Sequence, residues 1–553
     1  MYRRPRYLPA GDEGLLVEFG NEIHPDTHNR VYGMAQAVEE AHIQGIEEII
    51  PSYCSLLVVY DPLLISFGDL TDQLKGIEKN LSHLKIPEHR RVEIPTLYGG
   101  EFGSDLDFVA THHGLTPEEV IRIHSSQDYL VYMLGFTPGF AYLGGNLEKI
   151  ATPRLKTPRV VVPAGSVGIA ESQTGIYPIE SPGGWQIIGR TPSSSLTPFS
   201  LPTSSWQQGI WCDLLPSTKS STRIYKAIEA LEILHGGAFT TIQDLGRRGY
   251  QRFGTPTAGA MDLTSLRLAN RLVQNDEGQA CLEITFVGLR LVALRDLVIA
   301  ITGGDLTPKV DGSPLSMWQT VSVRENSQIS FTGVRDGIRS YLSVAGGIQV
   351  PEIMGSKSTY IRAGIGGFEG RPLKKGDRLR IGRQRSGLSL CRIKEVFIPR
   401  YGGKWKTRVI MGPQDDYFSK QGIETFTSSE YTITPQSDRM GYRLQGPVIE
   451  HREDADIISD ATCLGSIQVP GHGFPFILLA DRQTTGGYPK IATAISVDLY
   501  NLGQAKPGDK IQFSPINVIE AHEIRKSYER RMKQCIDILP RMNQKVQFHP
   551  HNT

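Results

Sequence analysis

The apolar and polar positions change period several times along the chain, and each change marks a boundary. Residues 1–90 alternate between the two periods. Gly14–Phe19, Ile46–Ile50 and Ser55–Tyr60 read as strands, while His24–Ala41 and Leu70–Leu84 carry one apolar face each and read as helices. This predicts a small α/β domain. From residue 91 to about 222, short apolar runs are broken by Gly/Pro turns every eight to twelve residues, the pattern of a β-barrel or sandwich. Val92–Pro95 is expected to open a strand, and Thr116-Pro117-Glu118-Glu119 to cap a short helix. Residues 223–232 read as a short helical link. Residues 233–391, with one helix over Asp262–Leu272, and 392–515 predict two further β-rich lobes. The tail, 516–553, is expected to hold one basic, solvated helix around Ala521–Leu539. The fold class is therefore mainly β with a small N-terminal α/β domain.

One pattern occurs twice. Val162–Ile179 (VPAGSVGIAESQTGIYPI) and the stretch Ile467–Ile491 (IQVPGHGFPFILLADRQTTGGYPKI) both run Val-Pro, Gly, Gln-Thr, Gly, Tyr-Pro. Repetition at this distance predicts related lobes in both halves and a working surface shared between them. Residues 193–222 break the pattern. They are Ser/Thr-rich without strand period, and they stand where the other lobes end in a Gly-Asp strand, Leu373–Ile381 and Lys506–Phe513. Trp206–Ser221, back-translated and read in another frame, yields AAGDMVRFTSINEVE, which is such a strand. We therefore read a local frameshift there, which the nucleotide sequence tests.

Composition narrows the function classes. The 553 residues carry 59 Lys plus Arg against 58 Asp plus Glu, which argues against a nucleic-acid binder. None of the six cysteines lies in a C-x-x-C pair, and no metal-ligand spacing occurs. The basic N-terminus lacks an apolar core behind it, and no apolar run reaches membrane-spanning length, so a cytoplasmic chain is expected. Gly355–Thr359 lacks the glycines of a P-loop. Ser166 in AGSVG lacks the strand-to-helix context of a nucleophile. His124, His235 and His472 are isolated and read as structural. What remains is a set of charged and amide side chains in Gly/Pro-rich turns: Asp438-Arg439 and Asp481-Arg482-Gln483. An arginine there can hold an anion, an aspartate can orient it or take a proton, and Gln or Thr can bond an amide or ureido group. The set suits a small polar substrate with a carbonyl and a charge.

GFTPGFAYLGG, TPRLKTPRVVVPAGSVGIA and QTGIYPIESPGGWQIIGRTP resemble the first subunit of the allophanate-hydrolase pair. TTIQDLGRRGYQRFGTPTAGAMD, GPQDDYF, SDRMGYRLQG and LADRQTTGGYPKIAT resemble its second subunit. The resemblance covers the chain except 193–222 and the tail, and it is nearest to the B and C subunits of ATP-dependent 5-oxoprolinase, here fused. It implies tandem cyclophilin-like barrel lobes and opening of the 5-oxoproline lactam to glutamate with ATP and a separate A subunit. The same pair forms the carboxyltransferase domain of urea carboxylase and a sensor-kinase inhibitor with its antagonist, so these are the alternative readings. The chain has no Ala-Met-Lys-Met biotinylation site, so no covalently bound biotin is expected on it. A homo-oligomer remains open. Matching motif positions imply a catalytic set of Asp481 as acid/base, Arg482 as anion clamp, Asp438 and Arg439. They imply substrate binding by Arg154, Gln173, Tyr177, Gln243, Asp244, Arg247, Gln483 and Tyr488.

Overall fold

The computed structural model describes residues 2–81, 93–145, 147–155, 159–191, 227–384, 388–452, 455–539 and 541–545. The reading of 193–222 as frameshifted lies outside the described residues.

The N-terminal unit is a four-stranded antiparallel sheet in the order Arg6–Pro9, Gly14–Glu18, Ser55–Tyr60, Ile46–Pro51. Helices Pro25–Ala41 and Phe67–Glu78 bury Val31, Met34, Val38, Leu70 and Leu74 against Leu15, Val17, Leu56 and Val58. The first helix starts as its sequence predicts, with a proline in the first turn and His24 capping Asp26 N–H. In the next lobe Val92–Pro95 was expected to be a strand, but its described residues 93–95 form none; pairing begins at Leu97–Tyr98. Proline at 95 removes a ladder donor, which favours the later start. Strand Leu97–Tyr98 edges a six-stranded antiparallel sheet containing both arms of the upstream motif, Ser166–Ala170 and Gln173–Ile176. The expected capping box is present on helix Pro117–Ser125.

The expected helical link is corrected. Ile228–Gly236 is a strand between Leu289–Ala293 and Arg378–Ile381. Glu, Ala and Leu favour a helix locally, but two open ladder edges and a buried face for Ala230, Leu231 and Ile233 outweigh that. It belongs to a seven-stranded sheet that packs with a five-stranded one, their apolar faces forming one core. Seven strands, from Lys404–Met411 to Lys510–Pro515, form a closed barrel. Its core joins Val409, Phe426, Tyr431, Ile467, Ile477, Ile491 and Phe513. The tail helix, Val518–Asp537, departs from its solvated reading. Met532 and Cys535 pack on Leu268, Leu272 and Trp318, and Glu529 forms a double hydrogen bond with Arg267, 3.0 Å on each arm. The chain then pairs Arg541–Lys545 with Ser389–Cys391. No helix among the described residues is long and apolar enough to cross a membrane.

Candidate active site

The stretch around 481–488 lies where the first half, the preceding β lobe and the closed barrel meet. Barrel strands Ser466–Gln468, Phe476–Leu478 and Lys490–Ala494 hold its ends. Leu479 and Ala480 enter the barrel core, and Asp481 N–H bonds Arg439 O at 3.0 Å. Successive side chains therefore leave the turn towards different neighbours.

Asp481 is committed to Arg439. Its two oxygens accept from Arg439 Nε and Nη2, both at 3.0 Å. Arg439 also pairs with Glu283 and donates to Gly259 O at 2.6 Å. Glu283 in turn accepts from Met261 N–H at 2.8 Å and Tyr341 OH at 2.7 Å. Burial alone lowers the Arg439 pKa, but Asp481 and Glu283 outweigh it and the net shift is upwards. This buried carboxylate–arginine–carboxylate network ties two lobes together. It corrects the expectation that Asp481 is a free acid/base, because both its oxygens are occupied, and it makes Arg439 a positioning residue.

Arg482 is different. It is 2% exposed, and among the described residues no carboxylate lies within ion-pair distance of it. Nη2 bonds Gln251 Oε1, Nη1 reaches Thr257 Oγ1 at 3.4 Å, and Nε has no partner. Burial pulls its pKa down, against the attraction of Cys463 and Glu48. Arg482, like Arg247, is thus a buried guanidinium with a donor that no described group satisfies. It lines a cleft of about 90 Å³. The walls come from the N-terminal unit (Asp12, Glu48), the middle lobe (Gln251, Leu263) and the barrel (Arg482, Leu499).

The other end of the stretch touches the first half. Arg154 donates from Nη1 to Gly487 O at 2.9 Å and from Nη2 to Ser459 Oγ at 3.2 Å, and Asp456 lies 3.4 Å away. Thr485 Oγ1 donates to Tyr142 OH at 3.0 Å. A Cβ on Gly487 would overlap the Arg154 guanidinium, so glycine is what lets the turn approach. Tyr177 sits in the adjoining aromatic core, its ring 5.0 Å from Phe140. Burial raises its pKa while the Arg154 charge opposes. Gln173 is buried in its strand, with Oε1 unpartnered. Tyr488 is half-buried, its carbonyl accepting from Gln468 Nε2 at 3.3 Å. The Gln483 carbonyl accepts from Thr462 Oγ1 at 2.6 Å.

The remaining sequence candidates do not line this cleft. Asp244 accepts from Ser356 Oγ, Lys357 N–H and Ser358 Oγ, at 2.7, 2.6 and 2.5 Å. Gln243 Nε2 donates to Thr359 O at 3.2 Å, and Arg247 Nη2 to Ser358 O at 2.5 Å. These three pin the turn that superficially resembles a P-loop. Arg247 keeps Nε and Nη1 unpartnered, and burial lowers its pKa, with Asp244 and Asp481 acting against that. Asp438 is exposed and accepts from Met440 N–H at 2.8 Å, closing its own turn, so it is not brought to the cleft. Ser166 donates to Pro163 O at 2.8 Å. His124 bonds Tyr98 OH and Thr174 Oγ1, and burial lowers its pKa to about 4. Both are structural, as the sequence indicates. The sequence reading missed Glu283, Glu48 and Gln251. Glu283 had a signal, a lone charge inside the apolar run Cys281–Thr285; Glu48 in IEEII had none.

The model of the carboxyltransferase domain, subdomains C and D, matches residues 5–204, and that of subdomains A and B matches 253–515. The chain is 38% identical to the C subunit of Escherichia coli 5-oxoprolinase over 305 residues, 55% of this chain and 97% of that protein. It is 42% identical to the B subunit of Bacillus subtilis 5-oxoprolinase over 228 residues, 39% of this chain and 93% of that protein. Saccharomyces cerevisiae urea amidolyase is 34% identical over 346 residues, 59% of this chain but 19% of that protein. Among solved structures, TTHA0988 superposes with a TM-score of 0.75 at 33% identity, covering 91% of this chain and 99% of that one.

Proposed function

This chain belongs to the carboxyltransferase-domain family, with both subdomain pairs in one polypeptide as in fused 5-oxoprolinase B and C subunits, and from that premise we propose that it is the B–C component of an ATP-dependent 5-oxoprolinase. The observation that carries this reading is end-to-end similarity to nearly whole B and C subunits, joined across a seam that buries Arg154 on Gly487 and Thr485 on Tyr142. The partner is the A subunit of that enzyme, and the cofactor is ATP.

The chemistry sets what the site must supply. Amide resonance protects the lactam carbonyl. Transfer of the ATP γ-phosphoryl group to that oxygen makes the carbon electrophilic. Water would then add and the C–N bond break, with the nitrogen taking a proton, to leave a γ-glutamyl phosphate; a second water would hydrolyse that acyl phosphate to glutamate and phosphate, ADP having left at the phosphoryl transfer. Arg482 fits the role of anion clamp on the oxygen where negative charge gathers. Arg439 and Asp481 hold the turn that presents it.

The test mixes the full chain with the A subunit, ATP and 5-oxo-L-proline and follows glutamate. ATP-dependent glutamate formation is expected; its absence with an A subunit that is itself competent overturns the reading. The similarity to urea amidolyase favours one second reading, carboxyl transfer from carboxybiotin to urea, and urea with carboxybiotin supplied in parallel reports it. Silence in both assays points to the non-enzymatic kinase regulator.

A further inference from the structure

The cleft described above carries one feature that its family membership does not assign. Two of its lining side chains, from opposite halves of the chain, each hold a buried polar atom without a hydrogen-bond partner. Glu48, on strand Ile46–Pro51, is 5% exposed. Its Oε2 accepts from Gln251 N–H at 3.0 Å, while Oε1 has no partner. Arg482 is buried as deeply, and its Nε is unpartnered. Gln251 links the two, its backbone N–H bound to Glu48 and its side-chain oxygen to Arg482. Gln251 thus bridges the carboxylate and the guanidinium, and no ion pair joins them. A buried pair left open in this way gives up two charge-assisted hydrogen bonds unless something else supplies them.

We propose that Glu48 and Arg482 together read the cis N–H/C=O edge common to a lactam and a ureido group, Glu48 accepting from N–H and Arg482 donating to the adjacent oxygen. A cis amide presents a donor and an acceptor side by side, and a carboxylate oxygen beside a guanidinium N–H is its complement. Glu48 is then a specificity-determining residue supplied by the B-like half to a site whose anion clamp comes from the C-like half. This explains in physical terms why the two halves act as one unit, since neither carries both ends of the edge. The proposal rests on the reading of this cleft as the substrate site. It does not depend on ATP or on the A subunit.

The test is calorimetric titration of the full chain alone with 2-pyrrolidone, 5-oxo-L-proline and urea, and with N-methyl-2-pyrrolidone, which lacks the N–H. Glu48→Gln keeps an oxygen for Gln251 N–H but presents an amide N–H₂ to the cleft, so the fold is retained and the edge is mismatched. Binding of at least one of the three N–H ligands is expected. Glu48→Gln should weaken it ~10- to 100-fold, the range for losing a hydrogen bond to a charged group, and N-methyl-2-pyrrolidone should bind no better than that. Arg482→Lys, which keeps the charge but lacks Nε–H, should weaken the same ligand. Wild-type chain that takes none of the three, or Glu48→Gln chain that binds as tightly as wild type, overturns the proposal. Preference for 5-oxo-L-proline or for urea identifies which ligand supplies the edge. A failure of the oxoprolinase reading shows separately, as Glu48-dependent binding without glutamate formation.

Discussion

Arg439 and Arg482 are both buried, both on turns of the barrel and both flanked by Asp in the sequence, yet their surroundings give them opposite work. Arg439 is surrounded by Asp481 and Glu283. Removing it leaves two carboxylates buried without a counter-charge, a change that costs about 3–5 kcal/mol where a buried pair is broken. Arg439→Ala is therefore expected to lose that stability in urea unfolding, and a near-normal midpoint would refute the network's role. Arg482 has no such partner, so Arg482→Ala should cost stability only about 1–3 kcal/mol, through the unsatisfied Gln251 oxygen. Its effect should appear instead in turnover with the A subunit, as a loss of about a hundredfold or more if it clamps charge formed in the transition state. Unchanged glutamate formation would remove Arg482 from the site. The motif DRQ was legible at this scale, but the division of labour inside it was not. Asp481 and Arg482 are adjacent in sequence, and only the direction each leaves the turn separates a structural pair from a free donor.

At the scale of elements, the periodic segments were legible and the marginal ones were not. Helix Pro25–Ala41, helix Leu263–Leu272 with its Asp262 cap, and three of the four strands of the first sheet follow from spacing and capping residues alone, while the edge strand Arg6–Pro9 was not read. Ile228–Gly236 was not legible, because its local preference is helical and its partners lie about 60 and 150 residues further on. The tail helix was found but its environment was not, since its apolar stripe is narrow among many charges. Met532→Ala should cost about 2–5 kcal/mol, the range for truncating a buried Met. Lys533→Ala on the exposed side should change stability by less than about 0.5 kcal/mol. Thermal melting of both variants checks this; equal effects would mean that the helix is not docked by that face.

For the whole molecule, the joint between the N-terminal unit and the barrel makes stability depend on pH. Asp12 accepts from Ser496 N–H at 2.9 Å and Ser496 Oγ at 2.6 Å at the start of helix Ser496–Leu502. Burial, with the Glu13 charge adding, pushes its pKa up from 3.8 to about 7 against those hydrogen bonds. The folded chain thus keeps a proton that the unfolded chain releases near pH 4. This contribution to stability is complete below about pH 4 and is lost as pH rises to about 7. Asp12→Asn should flatten that part of a melting-temperature profile taken from pH 4 to 8. A slope identical to wild type would show that Asp12 does not titrate there. Burial raises Glu18 to about 7 as well, so part of the slope should survive.

The sequence by itself determined the mainly β architecture, the small α/β domain at its start and the motif that forms the seam. These are properties of local period, turn chemistry and repetition, which neighbours along the chain suffice to specify. The tertiary structure alone decided which charges meet. It paired Arg439 with both Asp481 and Glu283, kept Asp438 at the surface, turned Asp244 towards its own lobe, and linked Glu48 to Arg482 through Gln251 across more than 400 residues of chain. Ion pairing and cleft chemistry depend on distances of a few ångströms, and those are fixed only when the sheets and the barrel have packed.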